Sequence, residues 1–147
     1  MNSGLRYAAS SRWLHWLTAL LLAVIIPVGI WIGFFEPADQ DFKLRLYNLH
    51  ESLGVLVFVL VLVRIVNRHR NPPPPLPDDM PALLRFAAHA THMGLYALLI
   101  LMPLTGFLAT NAWGFPLSLF GVLPIPSPLG KDEAIAKVLS LLHLCGA

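Results

Sequence analysis

Of the six histidines in this chain, five sit within or beside long apolar runs. His15 lies in RWLHW, His50 in NLHESLG, His89 and His92 in AAHATHMGLY, and His143 in LSLLHLCGA. An ionisable group in an apolar segment of bilayer length is costly, and its default reading is functional. By position along those runs, His50 and His143 fall near one face of a membrane. His15, His89 and His92 fall near the other. Two neutral imidazoles from facing helices can clamp one haem iron from both sides. Such a site keeps no open coordination position, so it suits electron transfer better than oxygen binding. One such haem near each face would make a transmembrane electron wire. The plainer alternative, a polar residue at the end of a membrane helix, fits His89 better than a ligand role. It fits His69, between two arginines in a linker, better still. Zinc is a rival for the other histidines, but no acidic or cysteine partners accompany them at metal spacing.

The elements that must carry these side chains are apolar helices. From Trp13 to Phe35 there is no Asp, Glu, Lys or Arg. About 20 helical residues cross a hydrocarbon core of roughly 30 Å, so this run is long enough to span. It exceeds a signal-peptide core and lacks a clean cleavage site in FFEPADQD, so it is read as a retained helix. A second helix is expected at roughly 48–67, around the apolar LGVLVFVLVLV. A third is expected at 86–110 and a fourth at 132–147, with the first at 12–35. The fourth stops at Ala147, before it can cross. The fold expected is an all-α, integral membrane four-helix bundle in one domain, with its fourth helix apparently truncated. Pro72–Pro75 break the second connection and favour stiff polyproline II. The third, WGFPLSLFGVLPIPSPLGKDE, is apolar and is expected to lie at the membrane interface. Pro103 and Gly106 in MPLTGF predict a kink in helix three. Gly29 and Gly33 suggest a small-residue packing face. The four tryptophans, Trp13, Trp16, Trp31 and Trp113, read mainly as interfacial belt residues.

Composition agrees. Hydrophobic residues make up 56% and charged residues 12%, about half the charged share of a soluble domain. The pI of about 9.0 does not imply nucleic-acid binding, because the basic residues cluster at the ends of apolar runs and form no interleaved patch. The single Cys145 can form neither an internal disulfide nor a CxxC site. Arg6, Arg12, Arg64, Arg68, Arg70 and Arg85 fall on one side, against Lys43, Arg45 and Lys131 on the other. By the positive-inside rule the N-terminus and the proline-rich linker are cytoplasmic. Arg12 and Arg64, near the inner histidines, are candidates to pair with haem propionates; the positive-inside rule alone explains them equally well.

At RWLHW, NLHESLG, HMGLYALLILMPLTGF and LLHLCGA the chain resembles the bacterial cytochrome b561 family, related to the cytochrome b subunits of nickel-iron hydrogenases and formate dehydrogenases. The four motifs occur in family order over almost the whole chain. The resemblance implies a four-helix bundle in the bacterial inner membrane, two haem b groups, and electron exchange with quinone. It pairs His50 with His143 on the outer haem. It pairs His15, on the inner haem, with a second histidine of helix four that this sequence does not contain. His92 then becomes a candidate partner for His15, and the chain as given is expected to bind at most one haem stably, through His50 and His143.

The function expected is therefore a membrane b-type cytochrome, in contact with lipid, quinone and a redox partner subunit. Two rivals stand beside it. Some relatives oxidise superoxide and reduce ubiquinone; Lys43, Arg45 and Lys131 would steer that anion, opposed by Glu36, Asp39, Asp41, Asp132 and Glu133. The other rival is a haem-free membrane scaffold or assembly subunit.

Overall fold

A computed structural model describes residues 6–35 and 39–146. Glu36 and Ala147 lie outside the described residues. Four helices run in the order α1 (Ala9–Phe34), α2 (Gln40–Arg70), α3 (Ala82–Trp113) and α4 (Glu133–Gly146). The first three are long and apolar enough to cross a membrane. The chain is an all-α, multi-pass membrane protein. Its surface shows why: Trp13, Leu20, Phe34, Leu83, Phe86 and Met93 are each exposed, an arrangement suited to hydrocarbon and not to water.

Two of the helices, α2 and α4, begin at aspartate caps that hydropathy does not mark. Asp39 caps α2: its Oδ1 accepts the N–H groups of Asp41 at 2.9 Å and Phe42 at 3.2 Å. Lys43 and Arg45 therefore belong to helix and not to a loop. At the other end α2 continues through Arg68, His69 and Arg70. Cations there complement the negative end of the helix dipole. His69, read from the sequence as a linker residue, is helical. The helix α3 passes without interruption through Pro103 and ends at Gly114, whose φ of 90° is left-handed. Gly114 N–H and Phe115 N–H close onto the carbonyls of Asn111 and Thr110. Asp132 caps α4 through Oδ1, accepting from Ala134 N–H at 2.9 Å and Ile135 N–H at 3.1 Å.

Packing is pairwise: α1 lies against α2, α2 against α3, and α3 against α4. The buried core is thin, centred on Leu53, Val57 and Val61 of α2 with Ala109 and Ala112 of α3 and Ala136 of α4. Small residues at these contacts let the backbones approach closely where lipid offers no hydrophobic drive. Polar bonds join the ends. Asn67 Nδ2 donates to Ser11 Oγ at 2.8 Å, and Trp113 Nε1 donates to Ser140 Oγ at 3.1 Å. Trp113 is thus tied to α4, a role beyond an interfacial belt. The apolar connection between α3 and α4 holds a short antiparallel hairpin, β1 (Ser118–Leu119) with β2 (Leu123–Pro124), unforeseen from sequence. It docks on α2: Asn48 Nδ2 donates to Ser118 O at 2.6 Å, Phe120 N–H donates to Ser52 Oγ at 2.7 Å, and Leu117 is buried.

Candidate functional site

His50 and His143 meet. Their ring centroids lie 6.0 Å apart and their planes cross at 86°. One ring comes from α2 and the other from α4, so the two helix hairpins α1–α2 and α3–α4 each contribute one. Each ring is fixed by its Nδ1. His50 Nδ1 is 3.1 Å from the carbonyl oxygen of Ile25. His143 Nδ1 is 2.9 Å from that of Met102, and Thr105 Oγ1 lies 3.4 Å from the same nitrogen. A carbonyl can only accept, so each Nδ1 carries its proton, and in the neutral ring this leaves Nε2 with a lone pair.

That arrangement fits a metal between the rings. Metal-bound histidines almost always donate their other ring N–H to a carbonyl or carboxylate, which sets tautomer and orientation. With centroids 6.0 Å apart, the two rings are close enough that their Nε2 atoms would hold one metal, which would supply one-electron chemistry. Glycines make room for the rings. A Cβ on Gly29 would stand 2.6 Å from His50 Cε1, and one on Gly106 would stand 2.9 Å from His143 Cε1. Gly33, paired with Gly29 in the sequence pattern, meets nothing within 4 Å.

The second histidine layer forms a different environment. A cavity of about 460 Å³ opens between α1, α2 and α3 at the end opposite the β-hairpin. His15 and His92 both line it, together with Arg12, Arg64, Arg68 and Tyr96. The guanidinium carbons of Arg64 and Arg68 sit 5.7 and 5.9 Å from the Tyr96 ring centroid, within cation–π range. His89 does not join this cavity. Its Nδ1 is bonded within α3 to Arg85 O at 2.8 Å, which satisfies the polar-residue reading. His69 is exposed at the end of α2.

Sequence reasoning passed over one polar contact beside the His50–His143 pair. Glu51, half-buried on α2, accepts a hydrogen bond from Thr110 Oγ1 of α3 at 2.9 Å. An acidic residue inside an apolar helix was the available signal. Tyr96 was read only as part of a motif and Arg68 only as a positive-inside residue; one turn of α2 puts Arg64 and Arg68 on the same face.

The chain is a bundle of membrane-spanning helices with two imidazoles close together at one level and a histidine- and arginine-lined cavity at the other. Comparison with known proteins makes this specific. The family described as prokaryotic cytochrome b561 matches residues 6–147. Cytochrome b561 homolog 2 of Escherichia coli (strain K12) is 34% identical over 143 residues, covering 97% of this chain and 75% of that protein. Cytochrome b561 homolog 1 of the same organism is 28% identical over 136 residues, 90% of this chain and 76% of the relative. A protein of Yersinia pestis named probable superoxide oxidase CybB is 27% identical over 139 residues, 95% of this chain and 77% of its own length. The chain belongs to the prokaryotic cytochrome b561 family, a family of membrane electron-transfer proteins whose membership implies b-type haem.

Proposed function

We propose that this chain carries electrons in the bacterial inner membrane through haem b held between His50 and His143, exchanging them with quinone and a redox partner. The observation that carries the reading is the facing pair, each ring anchored at Nδ1 by a backbone carbonyl with Nε2 left as a ligand. When bound, haem supplies a one-electron carrier that neither ring nor backbone can provide. The protein's own contribution is to fix ligand direction and to keep water from the pair with apolar helices. In the second cavity, His15 is the candidate ligand for a further haem, His92 its candidate partner, and Arg12 and Arg64 candidate anion partners. All four line one cavity, and Arg68 adds to its positive charge.

The orientation proposed puts the N-terminus and the Pro72–Pro75 linker in the cytoplasm. Arg12, Arg64, Arg68, Arg70 and Arg85 lie at those helix ends, whereas Lys43, Arg45 and Lys131 lie toward the other; Lys137 of α4 narrows the asymmetry. The Yersinia relative's name supports a second reading, superoxide oxidation. Against it, the cations near the start of α4 are partly offset: Lys131 Nζ stands 3.8 Å from Glu133 Oε1.

The test is the reduced absorption spectrum with pyridine-haemochrome stoichiometry. The wild type should show a sharp low-spin b-type spectrum with acid-extractable haem. His50→Ala or His143→Ala should convert that component to high spin or abolish it, and His69→Ala should leave it unchanged. Colourless wild-type protein from haem-replete cells would favour a scaffold. A ratio near two would show the inner cavity loaded, and His92→Ala should then reduce it to one.

A further inference from the structure

We propose that Gly29 and Gly106 are positioning residues: each forms, with the backbone carbonyl four residues before it, a seat for one of the two facing imidazoles. This rests on the reading that His50 and His143 hold haem iron. The two seats are built alike. The His50 ring lies against Gly29 and donates from Nδ1 to Ile25 O; the His143 ring lies against Gly106 and donates from Nδ1 to Met102 O. Ile25 precedes Gly29 by four positions, as Met102 precedes Gly106. In an α-helix the carbonyl of residue i−4 already accepts the N–H of residue i. Its second lone pair remains available, and the ring takes it; at Met102 O the Thr105 hydroxyl, 3.0 Å away, shares it. To reach it, the ring must lie over the turn closed by residue i. Only glycine leaves that turn bare.

The distances make the requirement specific. A methyl at position 29 would stand 2.6 Å from Cε1 and 3.2 Å from Nδ1 of His50. At position 106 the corresponding distances to His143 are 2.9 and 3.1 Å. The obstructing atoms are not the free end of a flexible chain, since each ring is held by its hydrogen bond. General close packing of helices would also select glycine, but Gly33 on α1 and Gly94 on α3 separate the two explanations. Both lie on the same helices, and an added Cβ at either meets nothing within 4 Å. Each seat holds one of the two rings, whose centroids lie 6.0 Å apart with planes crossed at 86°.

The experiment uses the full chain, purified with its haem. Gly29→Ala, Gly106→Ala, Gly33→Ala and Gly94→Ala are compared by haem retention against excess apomyoglobin and by low-temperature EPR of the oxidised form. Crossed axial planes give a strongly anisotropic low-spin signal with a large maximum g value. The wild type, Gly33→Ala and Gly94→Ala should keep both haem and signal. Gly29→Ala and Gly106→Ala should hold haem roughly 10- to 100-fold more weakly, the usual effect of disturbing a ligand's support, or shift the signal. Unchanged retention and EPR in both would overturn the seats while leaving the ligand pair standing. Wild type without haem would overturn the pair and the seats together. Should the single variants not accumulate, Gly29→Ala with His50→Ala and Gly106→Ala with His143→Ala decide the matter. Recovery of membrane-inserted protein once the ring is gone supports the seats; no recovery overturns them.

Discussion

Replacing Asp132 with alanine tests whether the start of α4 controls the placement of His143. Asp132 Oδ1 accepts from Ala134 N–H at 2.9 Å and Ile135 N–H at 3.1 Å. Loss of an Asp cap costs about 1 kcal/mol, within a range of about 0.5–2. The helix spans 14 residues, a length at which isolated helices are marginal, roughly 12–15 residues in water. Docking must therefore supply much of its stability. The Asp132 N–H bond to Ala112 O at 2.9 Å and the Trp113–Ser140 bond survive the substitution. If His143 is a ligand, a penalty of about 1 kcal/mol on docked α4 weakens haem binding about fivefold. Asp132→Asn keeps the acceptor and loses the charge, whose interaction with the helix dipole is worth about 0.3–1 kcal/mol. The expected order is wild type, then Asn, then Ala. The assay is competition for haem with apomyoglobin, with far-UV circular dichroism as a check on helix content. Equal retention by wild type and Asp132→Ala would refute the reasoning. Equal losses in Asn and Ala would assign the effect to charge instead of capping.

Thr110→Val removes the donor to Glu51 at nearly constant volume and should destabilise the α2–α3 contact by about 0.6 kcal/mol, and by no more than about 1.7, the range found for interhelical hydrogen bonds in membranes. Detergent denaturation of the purified protein measures it, and a variant as stable as wild type would show that the bond contributes nothing net. For topology, Cys145 is exposed and is first replaced by serine. A new cysteine in the Pro72–Pro75 linker should then be shielded from impermeant thiol reagents in intact cells, and one at Asp39 should be labelled. The reverse pattern would overturn the cytoplasmic N-terminus.

Apolar runs were enough to locate α1, α2 and α3, because a bilayer demands continuous hydrocarbon and backbone self-satisfaction over a known length. Their ends were not legible by the same signal. Asp39 and the Arg68–Arg70 segment are polar, yet both belong to the helical architecture as cap and last turn. The β-hairpin near Ser118 escaped notice because its bonds go to Asn48 and Ser52, some seventy residues away in sequence, a distance that local patterning does not reach. Histidine depth predicted that His50 and His143 share one level, and the structure brings their rings together. It also put His89 near the level of His15 and His92, with a polar helix-end role favoured for it, and depth along a helix says nothing about azimuth. His89 turns to its own Arg85 carbonyl, whereas His92 lines the cavity with His15.

The glycines show most clearly what spacing can and cannot reveal. Gly29 and Gly33, four apart, look like one packing face, yet Gly29 carries the imidazole contact and Gly33 meets open space. Each seat joins one residue type on one helix to a histidine on its neighbour, so neither helix carries a recognisable pattern alone. The design nevertheless follows from simple constraints. A ligand imidazole must present Nε2 and needs an acceptor for its Nδ1–H. Inside a membrane the nearest acceptors are helix carbonyls, already bonded once. Using their second lone pair requires close approach to a turn, and close approach requires a missing side chain. A histidine on one helix facing a glycine on the next, with a carbonyl one turn before it, satisfies all three demands; at the His143 seat the Thr105 hydroxyl also lies beside the acceptor. The hairpins α1–α2 and α3–α4 reach that solution separately, and the α2–α3 contact then brings their two rings together with crossed planes.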